Sequence, residues 1–596
     1  MLVSRLQAKS YFCSVDSKRT VMSEVKQLPY GVADFETVMK DNLYYVDKTM
    51  YIPLLEEQPH NLMFIRPRRF GKSLLLSMLR TYYDKAKKDQ FEEIFGSLWI
   101  GKHPTPLMGR YQVMHLDFSQ IGGTIDELEK KFDEYLCYRL DAFVRKYADD
   151  YPAYFLKSFF ACNTYTGKLI QITTTANELR IPMYLIIDEY DNFTNVVLGE
   201  NGEEIYHQMT HAEGFYRDVF KKFKGTFERI FVTGVSPVTL DDLTSGFIIG
   251  WNISTLFYFD KMLGFSTEDV REMFTYYKEV GSLPTNCDIE AMIEEIRPWY
   301  DNYCFAEECL EDGNRVFNSD MVLFYLRNYI LYKSAPKNML DPNTKTDYNK
   351  LKRLIRLDQP DGDRKGVLKE IAEKGEITSN IALSFPASDL IKPNKFVSLL
   401  FYYGMLTIKG VSGLQLVLAI PNNNVRMQYY NFLMENYDEV CGVDTMELVS
   451  KYSAMGAQGN WHDALQYLCD RYKLLSSVRD SIEGEKNIQG FFMAYLSLCS
   501  YYIIAPEMEF NHGYCDLFLM PNMAHYKAKH SYIIELKYLS KANFTDETAT
   551  KQWNDAVEQI NRYAVAPRVE ALRQGTQLHK IIIQFCGWEM MRMDEV

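Results

Sequence analysis

No stretch of this chain is apolar for long enough to cross a bilayer. The longest candidate, residues 491–505, carries Ser497, Ser500 and several tyrosines, and it reads as a buried helix followed by a strand. The first twenty-one residues hold no signal-peptide core; they are expected to be a disordered or mis-started extension, with the patterned chain beginning at Met22. Cysteines are few and scattered: eleven, without one Cys-x-x-Cys pair. The odd count argues against a disulfide framework, and Cys304 and Cys309 have no second pair with which to enclose a structural zinc. A reducing cytoplasm is therefore the expected location. Positive charge is also in deficit. A net charge of −13 gives no whole-molecule field toward polyanions or anionic lipid, so no membrane partner is expected. Contact with a polyanion would need a local cluster such as Arg66, Arg68 and Arg69, or residues 350–356.

What remains is an ordinary globular composition, 47% hydrophobic and 24% charged, in a chain of 596 residues that is too long for one core. Its most informative stretch is Leu62-Met63-Phe64-Ile65-Arg66-Pro67-Arg68-Arg69-Phe70-Gly71-Lys72-Ser73. A short apolar strand enters Gly-Lys-Ser, and an apolar-striped helix follows at Leu74, Leu75, Met78, Leu79 and Tyr82. That order suits a phosphate-binding loop, with amides at a helix N-terminus facing the anion and a lysine neutralising it. Lys72 is expected on the β- and γ-phosphates of ATP, and the Ser73 hydroxyl on Mg²⁺. Arg66, Arg69, Phe70, Gly71 and Leu74 complete the candidate nucleotide contacts. Arg66 stands where the usual pattern has its first glycine.

Further strands are expected at 113–118, 183–187 and 229–233, separated by helices such as 125–147 and 215–223. Apolar strands alternating with helices indicate a parallel sheet covered on both faces. The second strand ends in Asp188-Glu189. Asp188 is the expected Mg²⁺ positioner, and Glu189 the base that polarises the attacking water. The third ends in Thr233-Gly234-Val235-Ser236-Pro237, where Thr233, with Ser236 in reserve, is the candidate sensor of the γ-phosphate. Arg217 and Arg229 are candidates for an arginine finger.

These motifs, with Leu28-Pro29-Tyr30-Gly31-Val32-Ala33-Asp34-Phe35 and Tyr45-Val46-Asp47-Lys48-Thr49, resemble a predicted AAA-type ATPase family found widely in anaerobic bacteria. The resemblance covers roughly residues 26–240. Phosphate loops of that family also lack the first glycine. The resemblance implies ATP binding and hydrolysis through Gly71, Lys72, Ser73, Asp188 and Glu189. Trp299-Tyr300-Asp301-Asn302-Tyr303 and Val316-Phe317-Asn318 resemble the end of the same family. Residues 241–385 are expected to form a helical lid, entered at Gly264-Phe265-Ser266-Thr267-Glu268. A helix at 394–403, Gly404, and strands at 405–408 and 414–420 resemble the second half of a winged helix, placed at 386–430. Residues 431–480 read as a helical connector.

The final segment, 481–596, holds a second set of chemical residues. Asp516 lies in a strand after a turn. Glu535 and Lys537 share one face of another, because side chains alternate along a strand. If the two strands pair, two carboxylates and a lysine converge, a set suited to Mg²⁺-assisted phosphodiester hydrolysis. This Asp…Glu-x-Lys spacing resembles the PD-(D/E)XK nuclease fold, in which Glu485 fits the helical acid and Gln559 the glutamine on the following helix, with Tyr563 one turn on.

The expected architecture is thus α/β throughout: an AAA-type phosphate-loop domain at 22–240, a helical lid and winged-helix-like middle, and a restriction-endonuclease-like C-terminal domain. The expected function is ATP turnover coupled to a Mg²⁺-dependent nuclease acting on DNA or RNA, in a homo-oligomer. The alternative is an ATP-switched signalling or scaffold protein whose nuclease-like domain only binds nucleic acid or a partner.

Overall fold

The computed structural model describes residues 25–122, 125–192, 215–239, 250–336 apart from 312 and 314, 338–341, 364–429 apart from 387, 388, 390 and 391, 441–477, and 484–596 apart from 497, 500, 512, 524 and 525. The 1–21 extension, the basic cluster at 350–356 and the Arg217 side chain lie outside the described residues. Two compact units are present. The first is built mainly from residues up to 333 together with 379–416, and the second mainly from 417–596. Among the described residues no helix is long and apolar enough to cross a membrane.

In the first unit, strands β1 (Asn61–Ile65), β2 (Gln112–Asp117), β3 (Met183–Asp188), β4 (Arg229–Gly234) and β5 (Trp251–Asn252) form a sheet in the order β2-β3-β4-β1-β5. Every adjacent pair is parallel. Strands β3 and β4 are buried along their whole length, which is why they read as unbroken apolar runs. Helices α1 (Lys72–Tyr83), α2 (Ile125–Lys146), α3 (Tyr165–Leu179) and α4 (Phe215–Thr226) connect them. Because the strands run the same way, the carboxyl ends of β1, β3 and β4 lie along one edge of the sheet, where ligands of open α/β sheets bind.

The Asp34-Phe35 motif braces α1 from behind. The Phe35 amide donates to Ser77 Oγ at 2.9 Å, and Asp34 Oδ2 accepts from Ser77 Oγ at 3.1 Å and Arg80 Nη2 at 3.0 Å. Helices α5 (Thr267–Glu279), α6 (Ile289–Tyr300), α7 (Ser319–Tyr332) and α8 (Pro393–Tyr402) follow, then strands β6 (Thr407–Ser412) and β7 (Gln415–Ala419). The expected entry to α5 is a capping box, in which Ser266 and Asp269 satisfy each other's backbone amides.

The second unit begins with α9 (Thr445–Gln458), α10 (Trp461–Leu474) and α11 (Glu485–Leu496). Its sheet runs β8 (Tyr502–Phe510), β9 (Gly513–Pro521), β10 (His530–Leu539), β11 (Gln577–Cys586) and β12 (Glu589–Glu595), adjacent in that order. Only β10 and β11 are parallel, and α12 (Asp546–Ala564) makes their crossover. Strand alternation divides the core. Tyr532, Ile534 and Leu536 pack with helices α9, α10 and α11, whereas Ile533 packs with Trp553, Ala556, Ile560 and Tyr563 of α12. The α12 residues recur at helical spacing, so one face of that helix covers the sheet.

Edge strand β2 carries a titratable group with a thermodynamic consequence. Burial, and then the charges of Arg80 and Arg139, push the His115 imidazole down to about 4 from an ordinary 6.5. Between those values the unfolded chain binds the proton and the native chain does not, so stability falls as pH drops through that window. His115→Gln should flatten this acid limb in urea-denaturation midpoints taken from pH 7.5 to 4. Equal losses in parent and variant would place the acid sensitivity elsewhere.

Candidate functional site

The loop after β1 ends in Gly71, whose φ of +98° lies in the left-handed region, and α1 starts at the next residue. Lys72 is buried, and its ammonium donates to the carbonyls of Arg66 and Pro67 at 3.0 and 2.9 Å. Burial pulls its pKa below the ordinary value, although Asp188, Glu189 and Asp191 oppose that shift. Ser73 Oγ donates to Asp188 Oδ2 at 2.6 Å, and Thr233 Oγ1 donates to Asp188 Oδ1 at 2.8 Å. The Glu189 amide also donates to Asp188 Oδ1, at 3.0 Å. Glu189 itself adopts a φ of +50°, an uncommon backbone for a non-glycine residue. Thus Lys72, Ser73, Asp188, Glu189 and Thr233 assemble at one edge of the sheet.

Lys72, Ser73 and Glu189 open onto a cavity of about 340 Å³, within the range of small-molecule sites, with Asp188 and Thr233 buried behind them. Arg69, Phe70, Gly71, Lys72, Ser73, Leu74 and Glu189 line it beside an apolar recess containing Val32, Met273 and Leu323. The N-terminus of α7 closes on the loop. Ser319 Oγ donates to the Phe70 carbonyl at 3.3 Å, the Asp320 amide to the Arg69 carbonyl at 3.3 Å, and Arg69 Nη1 pairs with Asp320 Oδ2 at 2.9 Å. Asp320 was missed in the sequence because it stands 251 residues from Arg69.

Three expectations need correction. The Arg66 side chain, 1% exposed, does not line the cavity. Its guanidinium donates to the carbonyls of Ser254 and Phe259 at 2.6 and 2.9 Å and lies between the rings of Phe64 and Phe305. A wide cation needs several acceptors when buried, and the fold supplies them away from the anion face. Arg229 sits at the opposite end of β4 from Thr233 and donates to the Glu56 carbonyl at 3.1 Å, so it is no finger for this edge. Ser236 is buried and accepts from the Val238 amide at 3.2 Å, which makes it part of the turn after β4.

In the second unit the antiparallel register pairs Leu517 with Ile534, so Asp516 falls beside Glu535 one step further on. Asp516 Oδ2 accepts from the Leu536 amide at 2.7 Å, and Lys537 Nζ donates to Glu535 Oε1 at 2.8 Å. Glu535 is 2% exposed, and its Oε2 is buried without a hydrogen-bond partner. Burial, then the Glu535 charge, pushes the Asp516 carboxyl above its ordinary range. Burial also raises Glu535. Desolvation works against the Lys537 charge, but Glu535 and Asp516 outweigh it and hold the ammonium above its ordinary pKa.

Glu485 begins α11, exposed, and its charge acts on Asp516, Glu535 and Lys537. Gln559 is half-buried on α12, one turn before Tyr563. Tyr563 is buried and senses the charges of Glu535 and Lys537; its ring lies so close over Gly513 that an added Cβ would come within 2.7 Å. The sequence reading missed Gln489, whose amide donates to the Asp516 carbonyl at 2.9 Å and fixes the strand carrying the acid. Among the described residues no three Asp, Glu, His or Cys side chains gather closely enough to enclose a metal unaided. The orphaned Glu535 oxygen and the crowded Asp516 nonetheless suit a divalent ion that takes its other ligands from water and substrate, as Mg²⁺ does.

The geometry thus defines an α/β domain with a phosphate loop and a second domain with an Asp…Glu-x-Lys centre on a mixed sheet. Residues 29–244 match the family model described as Predicted AAA-ATPase, and residues 483–595 match that of the PD-(D/E)XK nuclease superfamily. The chain therefore carries one segment similar to each of these family models. A curated relative, "Uncharacterized protein in vnfD 5'region" of Azotobacter chroococcum mcd 1, is 26% identical over 335 residues, or 53% of this chain and 56% of the relative. The chain spans little more than half the length of that protein.

Removing the buried guanidinium should leave several carbonyls unpaired and open a void. Arg66→Ala is expected to destabilise the first unit by about 3–5 kcal/mol, and Arg66→Met, which fills space without donors, to recover only part. Hydrogen exchange of β1 and β4 amides measures this. Unchanged protection in Arg66→Ala would remove the bracing role.

Proposed function

We propose that this chain binds and hydrolyses ATP at the Lys72 loop and that this turnover controls Mg²⁺-dependent cleavage of a nucleic-acid backbone at Asp516, Glu535 and Lys537. The observation that carries the reading is the Asp188 carboxylate held between the hydroxyls of Ser73 and Thr233 at the head of a phosphate loop. Lys72, now resting on backbone carbonyls, would transfer its donors to phosphate oxygens. Ser73 and Asp188 would hold the metal ion. Glu189 would accept the proton of the attacking water, and Thr233 would orient Asp188 toward the γ-phosphate.

At the second centre Asp516 and Glu535 would hold the metal, with Glu485 acting through water. Mg²⁺, when bound, supplies an acidified water and neutralises charge developing on the phosphate. Lys537 would give up its bond to Glu535 Oε1 to stabilise the charge growing on the oxygens of the pentacoordinate phosphorus, and Gln559 would orient the backbone with Tyr563. We read α5–α7 as a lid over the nucleotide, supported by the bonds of the α7 N-terminus to the loop. Helix α8 with β6 and β7 is read as the winged-helix-like element. A cytoplasmic homo-oligomer, in which a neighbouring subunit supplies the arginine finger, completes the proposal.

The test is a purified full-length protein on single- and double-stranded DNA and RNA, with Mg²⁺ and with or without ATP. Lys72→Ala should lose ATP turnover. Glu535→Ala should lose cleavage and keep turnover. Glu189→Gln should bind ATP yet hydrolyse it about 10²- to 10⁴-fold more slowly. Turnover without cleavage of any of the four substrates would support the switch or scaffold reading. Parent-like turnover in Glu189→Gln would reassign the base.

A further inference from the structure

The first unit holds another cavity, of about 230 Å³, that the ATPase reading leaves unused. It lies against β2, between the C-terminal halves of α1 and α2. Four cationic side chains line it (Arg80, Lys87, Arg139 and Lys146) against two carboxylates, Glu36 and Asp84. Three of the cations have carboxylate partners: Arg80 pairs with Asp34 at 3.0 Å, Lys87 with Glu36 at 2.8 Å, and Lys146 with Asp84. Asp84 is further engaged by the Tyr147 hydroxyl at 2.8 Å and the Ala86 amide at 2.9 Å, which leaves it little capacity for another cation.

Arg139 differs. Its hydrogen bond runs from Nη2 to the His115 carbonyl at 2.5 Å, and among the described residues no carboxylate pairs with it. Helix-end electrostatics do not account for it. Lys146 is the last residue of α2, but Arg139 stands about two turns earlier, beyond the reach of the terminal partial charge. The half-buried His115 imidazole lines the same cavity, its pKa lowered by burial and by the Arg80 and Arg139 charges, and makes no hydrogen bond to the described residues. A guanidinium fork without an anion and a neutral imidazole without a partner therefore face one small space, with two lysines beside them.

A carboxylate would occupy only the fork. A tetrahedral dianion presents enough oxygens for the fork, the imidazole N–H and the lysines together. The volume lies below the usual range for drug-sized ligands, which favours a small group over a whole nucleotide. We propose that this cavity binds a phosphate dianion, either inorganic phosphate or a low-mass phosphate monoester, on Arg139 and His115 with Lys87 and Lys146 around it. This site is separate from the Lys72 loop and does not depend on the assignment of that loop.

Isothermal titration calorimetry on the full chain tests it, in phosphate-free buffer and in a Lys72→Ala background that silences the loop. The probes are inorganic phosphate and glycerol 3-phosphate. One saturable site per chain is expected, weakened at least about tenfold by Arg139→Gln, as for a lost charge-assisted hydrogen bond, and less by His115→Asn. Tighter binding of glycerol 3-phosphate assigns a monoester, and equal or tighter binding of phosphate assigns the free ion. Absence of saturable binding of either probe up to about 10 mM overturns the proposal, as does parent-like affinity in Arg139→Gln. Should Arg139→Gln lack a cooperative urea transition, Arg139→Lys serves instead: it keeps the charge and loses the fork, and parent-like affinity there also counts against the site.

Discussion

A carboxylate taken out of water must be answered, and how Asp188 is answered organises the first unit. Among the described residues its hydrogen-bond donors, Ser73 Oγ, Thr233 Oγ1 and the Glu189 amide, are all neutral, so none of them is a countercharge. Lys72 lies in the same electrostatic neighbourhood, but its ammonium is occupied by loop carbonyls. Among the described residues no ion pair joins the two. A cation-seeking oxygen and an anion-seeking ammonium are thus held apart at one edge of the sheet, the separation on which the proposed nucleotide reading rests. The parallel sheet maintains this separation, since β1 delivers the lysine, β3 the carboxylate and β4 the threonine from strands in fixed register.

The second centre solves the same problem differently. Lys537 is paired with Glu535, yet the pairing uses only one carboxylate oxygen. The other is orphaned, and Asp516 alongside is driven toward its protonated form. Two acids and one lysine in a low-dielectric site carry an unbalanced negative charge, which a proton or a metal ion must offset. The pairing of β9 with β10 creates this crowding, and the Gln489 bond to the Asp516 backbone prevents the strand from relieving it by moving away.

Features that depend on local periodicity were legible in the sequence. Unbroken apolar runs marked β3 and β4 because both faces are covered, and strict alternation placed Glu535 and Lys537 on one side of β10. The helix entry at Ser266 was legible because a capping hydroxyl is followed at once by acidic residues and an apolar face. Features that depend on distant chain segments were not. Arg66 finds its acceptors at Ser254 and Phe259, Asp320 reaches Arg69 from α7, and His115 meets Arg139 only because α2 lies over an edge strand. An arginine beside Gly-Lys-Ser invites an anion-binding reading, because residue type shows charge but not the direction in which the side chain leaves the backbone.

That direction also explains how the loop works without its first glycine. The Arg66 amide still donates to the Gly234 carbonyl at 3.4 Å, so residue 66 extends β1 and does not open a turn. The turn begins at Pro67, and its left-handed positions fall at Arg69, with a φ of +68°, and at Gly71. A non-glycine residue held at positive φ stores strain that surrounding contacts must offset. The Arg69–Asp320 pair and the bonds of the α7 N-terminus supply them. A side chain at position 66 then becomes an advantage: clamped between Phe64 and Phe305, it fixes the strand end from which the loop departs. Loop geometry here is set less by glycine freedom than by tethers to α7 and to the segment around Ser254, so movement of either would be felt directly at Lys72.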